Sequence, residues 1–154
     1  MKKYISLALW IIVYLAVAFG IGQLSQSAID SWYAGLEKPA LNPPNYIFPI
    51  MWTFLYILIA SAGWKIWQSQ KEVRELKWIF IGYTVLNWAW TPIFFGAQEI
   101  LLALIWIAVI NGLTLTFIIL SWNKERLASI LMIPPLLWTC FAMYLNYSIY
   151  VLNT

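Results

Sequence analysis

The stretch NWAWTPIFF, residues 87–95, decides how this chain is read. It sits within a long apolar run, yet it holds an amide, two indoles and a proline. A helix that faces only lipid needs none of these. Asn87, Trp90, Thr91 and Phe94 fall on one face at helical spacing, while Trp88, Pro92 and Phe95 fall on the adjacent one. Pro92 has no N–H to give the carbonyl of Trp88. An amide at mid-depth in a membrane is costly unless it turns toward the bundle interior. Two readings of Asn87 stand. It is glue between helices, worth about 1 kcal/mol or less, or it lines a pocket together with Trp90.

The rest of the chain supplies the setting. Its 154 residues are 63% hydrophobic and only 10% charged, with a mean hydropathy of +0.77. A soluble domain carries about 25% charged residues, so this chain lacks the polar surface to dissolve and reads as an integral membrane protein. A spanning helix needs roughly 20 apolar residues. Five runs qualify, at about 4–24, 45–68, 75–95, 99–122 and 128–152. The expectation is an all-α single domain over residues 1–154, a bundle of five transmembrane helices with a long ordered loop at about 25–44. Gly35, Pro39, Pro43 and Pro44 stiffen that loop. Lys2 and Lys3 with AVA at 16–18 mimic a cleaved leader, but the apolar run is long for one, and an uncleaved first span is the better reading.

Charge sets the expected orientation. Lys2, Lys3, Lys65, Lys71, Arg74, Lys77, Lys124 and Arg126 share one side of a five-span layout, and Lys38 stands alone on the other. Positive residues stay cytoplasmic. The chain is expected to be multi-pass in the cell membrane, N-terminus in the cytoplasm and C-terminus outside. The scattered basic residues give no footprint for nucleic acid.

Catalytic constellations are absent. There is no histidine, and Cys140 is the single cysteine. Histidine ligation of haem iron, Ser/His and Cys/His pairs and intrachain disulfides are thereby excluded. No metal site is expected. None of Asp30, Glu37, Glu72, Glu75, Glu99 and Glu125 lies mid-span, which argues against ion or proton transport through the bundle.

Of the 11 tryptophans, nine divide into two sets. Trp64, Trp67, Trp78 and Trp122 sit near span ends and suit the interfacial aromatic belt. Trp10, Trp88, Trp90, Trp106 and Trp138 do not. Buried indoles need a partner for their N–H, in the bundle or in a ligand. The fifth run repeats the theme of the third in PPLLWTCFAMYLN, residues 134–146. Trp138, Phe141, Ala142 and Leu145 share a face, Ala142 leaves room in an aromatic stripe, and Asn146 is a second intramembrane amide. Such walls suit a flat aromatic or macrocyclic guest. Of the two indoles in the opening stretch, Trp90 is expected to meet the ligand and Trp88 to pack.

Three blocks, WYAGLEKPALNPPNYIFPIMW (32–52), NWAWTPIFFGAQ (87–98) and PPLLWTCFAMYLNY (134–147), together with the five-run layout, resemble the TspO/MBR family. Its members are the tryptophan-rich sensory proteins of bacteria and the mitochondrial translocator proteins. The resemblance implies a five-helix bundle, often a homodimer, whose first loop lids a cavity. It implies binding of porphyrins, notably protoporphyrin IX, and of isoquinoline or benzodiazepine drugs. Some bacterial members are reported to degrade protoporphyrin in light, with cavity tryptophans required. Carried over by motif, Trp52 and Trp138 correspond to those tryptophans and become catalytic if the protein is an enzyme. Asn87, Trp90, Ala142 and Leu145 correspond to wall residues. Trp32, Tyr33, Pro43 and Pro44 correspond to the lid, although Trp32 equally fits an interface anchor.

Two departures bear on these expectations. Animal members bind cholesterol through a motif that needs a basic residue soon after a tyrosine. No Lys or Arg follows Tyr144, Tyr147 or Tyr150, which puts cholesterol binding in doubt. In FPIMW, residues 48–52, the proline stands one place further from the tryptophan than is usual, so the start of the second helix is expected to shift. The composite expectation is a porphyrin-binding membrane receptor or sensor needing no cofactor. Light-dependent porphyrin degradation and facilitated porphyrin transport are the alternatives.

Overall fold

The computed structural model describes residues 2–154, with side chains from Tyr4 onward. Five helices account for most of it: α1 (Lys2–Asp30), α2 (Ile47–Trp67), α3 (Arg74–Thr91), α4 (Ile100–Ser121) and α5 (Arg126–Asn153). No strand occurs among the described residues. α1 packs on α2, α2 on α5, α5 on α4, α4 on α3, and α3 returns to α1. The helices thus form a ring around a shared interior. Four of them, α1, α2, α4 and α5, are long and apolar enough to cross a membrane. α3 is shorter and carries Arg74, Glu75 and Lys77 in its first turn.

The first helix overturns one expectation. It runs to Asp30, so residues 25–30 of the anticipated loop are helical. Their composition explains this. SQSAID holds no Pro or Gly, the Ser25 hydroxyl bonds the Ile21 carbonyl at 2.9 Å, and the Gln26 amide reaches both carboxylate oxygens of Asp30 at 3.0 Å. These (i, i+4) contacts support the last turn. The connection is therefore residues 31–46, and it contains a 3₁₀ turn at Tyr33–Gly35.

The third run also differs. Pro92 closes α3 at Thr91, and the chain continues as a single π-helical turn, Pro92–Gly96, in which the Ala97 N–H reaches the Pro92 carbonyl at 2.9 Å. By contrast, Pro134 and Pro135 lie inside α5 without ending it. The other helix ends fall within about three residues of expectation, the usual uncertainty for such boundaries.

Away from the α1–α2 connection the interior is filled, and an open apolar groove of about 520 Å³ runs along its flank beside Trp10, Tyr14, Trp67 and Trp88. Leu55, Ile59, Leu76, Phe80, Phe117 and Met132 are all buried there. Gly63 lies so close to Phe80 and Trp10 that a Cβ would sit 2.5 Å and 2.6 Å from their rings. Polar links lock the adjoining turns. Glu125 accepts from the Ser69 hydroxyl at 2.6 Å and pairs with Lys65 at 3.5 Å, while Lys71 donates to the Lys124 carbonyl. Lys77 lies over Trp67 and Arg126 over Trp122. The basic residues expected on one side thus gather at one end, apart from Lys2 and Lys3, whose side chains lie outside the described residues.

Candidate ligand cavity

At the other end the ring is hollow. A cavity of about 730 Å³ opens among all five helices and the π turn, with Ile107 and Ile110 supplied by α4, within the range typical of small-molecule sites. α3 and the π turn contribute Asn87, Trp90, Thr91 and Phe94, the four residues of one helical face, together with Phe95 from the adjacent one. Trp90 and Phe94 stack with ring centroids 5.0 Å apart and planes 12° from parallel. The Trp90 indole N–H is spent on the Ala103 carbonyl of α4, at 3.2 Å, so this ring offers its face to the cavity rather than its donor.

Asn87 resolves its two readings by serving both. Its amide donates to the Tyr56 hydroxyl of α2 at 3.2 Å, and both residues line the cavity. The helix-to-helix bond therefore also fixes a polar spot on the wall. From α5 come Trp138, Ala142, Leu145 and Asn146. Asn146 is 2% exposed; its amide donates to the Ile100 carbonyl at 3.0 Å, while its oxygen has no partner among the described residues. The Trp138 N–H is likewise buried without one. α2 adds Trp52, whose ring lies 5.3 Å from that of Tyr56. The displaced proline of FPIMW falls in the first turn of α2 and lines the cavity itself.

Eight sequence-predicted residues are thus brought together: Tyr33, Trp52, Asn87, Trp90, Phe94, Trp138, Ala142 and Leu145. Four are not. Trp32 packs edge-on against Phe94 from outside, with centroids 5.5 Å apart. Phe141 stands behind Trp138 at 5.7 Å, because three residues of helix carry it past the cavity edge. Pro43 and Pro44 shape the connection without lining the cavity. Tyr33 is the lid residue that reaches inward. Its hydroxyl donates to Asn42 at 3.1 Å, and its ring meets Phe94 and Phe95 edge-on. Burial pushes this hydroxyl's pKa up, partly offset by the Asn42 bond.

The unforeseen wall is α1. Leu15, Ala18, Gly22, Ser25 and Ile29 all line the cavity. Their 3–4–3–4 spacing is a helical face, and three of the five are small. The signal was present but masked, since α1 is apolar on all sides.

Chemically the site is apolar with isolated polar spots. Asp30 at the mouth is the carboxylate among its described lining residues. No cluster of His, Cys, Asp or Glu among the described residues could hold a metal ion. Trp88 lies outside this cavity, with its ring 5.2 Å from that of Tyr14, and borders the open groove beside Trp10 and Trp67. Trp106 donates to the Leu86 carbonyl at 2.9 Å and ties α4 to α3.

Residues 9–152 match the TspO/MBR family. The chain is 34% identical to the tryptophan-rich protein TspO of Archaeoglobus fulgidus, over 93% of this chain and 94% of that one. It is 33% identical to the human translocator protein, over 77% and 73%. It is also 33% identical to the tryptophan-rich sensory protein of Cereibacter sphaeroides, over 80% and 78%.

Proposed function

The chain belongs to the TspO/MBR family, and from that premise we propose that it is a membrane receptor or sensor for a flat, mostly apolar ligand. The ligand class is a tetrapyrrole such as protoporphyrin IX, with isoquinoline- and benzodiazepine-type compounds as further guests. The observation that carries this reading is the cavity of about 730 Å³ walled by Trp52, Trp90, Phe94 and Trp138. Aromatic faces stack on a planar ring, and the few polar atoms orient it. On the same reading α3 and its π turn complete a fifth span, the basic end faces the cytoplasm, and two copies associate as a homodimer.

The test is tryptophan fluorescence in detergent or nanodiscs. Protoporphyrin IX at micromolar concentration should quench it saturably. No quenching, with helicity and melting intact, would sink the proposal.

A second reading is favoured by Trp52 and Trp138 lining the same space. Two indoles beside a bound porphyrin are oxidisable partners in a site whose described carboxylate, Asp30, stands at the mouth. Illuminated in air, the parent should then bleach the porphyrin band faster than Trp52→Phe or Trp138→Phe. Equal rates would leave binding as the whole activity.

A further inference from the structure

The cavity has two sides that a ligand could cross. One is covered by the α1–α2 connection, and that cover is tied down. The Asn153 side chain near the end of α5 pairs with both backbone groups of Glu37, accepting from its N–H and donating to its carbonyl, each at 3.0 Å. Its remaining N–H bonds the Ile149 carbonyl at 2.7 Å, so the amide is fully used. Within the connection, Lys38 donates to the carbonyls of Ala34 and Leu36 and lies 4.7 Å from the centre of the Tyr33 ring.

The other side lies between α1 and α2, and it is open. Phe19 and Tyr46 line the cavity yet are 68% and 64% exposed. Gly22 and Gln26 of α1 and Pro49 and Thr53 of α2 also line the cavity and are exposed. Residues of a closed wall would be covered on one side or the other. Toward the basic end the same two helices meet, with Gly63 against Trp10. They therefore diverge toward the connection and leave a slit. Its border is apolar at Phe19 and Pro49 and polar at Gln26, where a planar amphiphile keeps its polar edge at headgroup level.

We propose that the ligand passes between bilayer and cavity sideways, through this slit between α1 and α2, while Asn153 keeps the connection clasped to α5. The proposal rests on the ligand-binding reading above.

Gly22 offers the test, because a Cβ built on it meets nothing within 4 Å. Gly20 is equally open but does not line the cavity. Full-length Gly22→Trp, Gly20→Trp and Asn153→Ala would be compared in nanodiscs by stopped-flow quenching with vesicle-borne protoporphyrin IX, and by release into excess empty vesicles. Gly22→Trp should slow both capture and release by about tenfold, as a narrowed gate does, with Gly20→Trp and Asn153→Ala at parental rates. Gly22→Leu serves if the indole disturbs folding. Faster exchange in Asn153→Ala with Gly22→Trp at the parental rate would overturn the proposal and make the connection the door. Faster release alone in Gly22→Trp would also overturn it, as damage to the site rather than the route. A parent that never quenches would remove the binding reading and this proposal together, whereas a quenching parent matched by Gly22→Trp removes this proposal alone.

Discussion

The basic end of the bundle and the connection end are both built from aromatic side chains, yet one is filled and the other hollow. At the filled end Phe80 lies between about 5.8 and 6.5 Å, ring centre to ring centre, from Trp10, Tyr14, Trp67, Tyr83 and Phe117. Gly63 is the small residue there, and its missing side chain is occupied by Phe80 and Trp10. At the hollow end Ala18, Gly22 and Ala142 are the small residues, and they border the cavity. A small residue therefore has no fixed meaning in a membrane bundle. It admits a neighbour where an aromatic ring projects toward it, and it leaves a void where the facing rings lie along the walls, as Trp90 and Phe94 do.

Substitution should break this contrast in opposite ways at the two ends. The largest effect is expected from Gly63→Leu, which forces atoms into space already held by two rings. A loss of about 1–3 kcal/mol or more is expected from such overpacking, read as a lowered thermal midpoint by circular dichroism in detergent. An unchanged midpoint would mean that the filled end is looser than its geometry. Ala142→Leu is the counterpart. It should leave that midpoint in place and weaken porphyrin affinity by about tenfold, near 1.4 kcal/mol, measured by quenching titration.

Smaller effects should separate the polar atoms of the two ends. Tyr56→Phe removes the hydroxyl that accepts from Asn87 and should cost about 1 kcal/mol, by unfolding of the same detergent samples. Tyr83 is 1% exposed, and its hydroxyl has no partner among the described residues, so Tyr83→Phe should be neutral or slightly stabilising. Equal losses for the two would erase the distinction. The smallest change concerns Glu125. Burial opposes its charge, but the Ser69 hydroxyl and the Lys65 and Lys71 ammonium groups together hold its carboxyl below the usual value. A carboxyl that titrates lower when folded stabilises above its unfolded pKa and loses that contribution as pH falls through the folded one. The parent should therefore melt slightly above Glu125→Gln at neutral pH, with the gap closing below about pH 4.

How much of this was visible in the residues depends on what kind of signal each region carries. Long apolar runs marked α1, α2, α4 and α5, the helices long and apolar enough to cross a membrane, where the backbone has little choice but to be helical. The wall of α3 was legible because amide, indole and phenyl groups stood out at helical spacing. The wall of α1 was not, because Leu15, Ala18 and Ile29 look like any lipid-facing residues, and only the packing of the ring turns them inward. The end of α1 was misplaced because a polar segment such as SQSAID reads as loop. Helical hydrogen bonds among Ser25, Gln26 and Asp30 overrode that. Phe141 shared the right stripe with Trp138 but lies just beyond its useful arc. The Asn153 clasp spans 116 residues of sequence, a separation no local pattern encodes.

The π turn after Pro92 has a consequence for the length of the chain. A π turn closes its hydrogen-bonded ring with one residue more than an α turn. Phe94 and Phe95 both reach the Tyr33 ring, with their own planes 81° apart. Deleting Ile93 would let ordinary helical winding resume and carry the rest of the turn around by one position. The two phenyls would then no longer both meet the Tyr33 ring as they do here, and residues 97–99 before α4 would have to take up the difference. Replacing one of these residues by another apolar one leaves the winding alone. In this segment the number of residues is under tighter constraint than their identity.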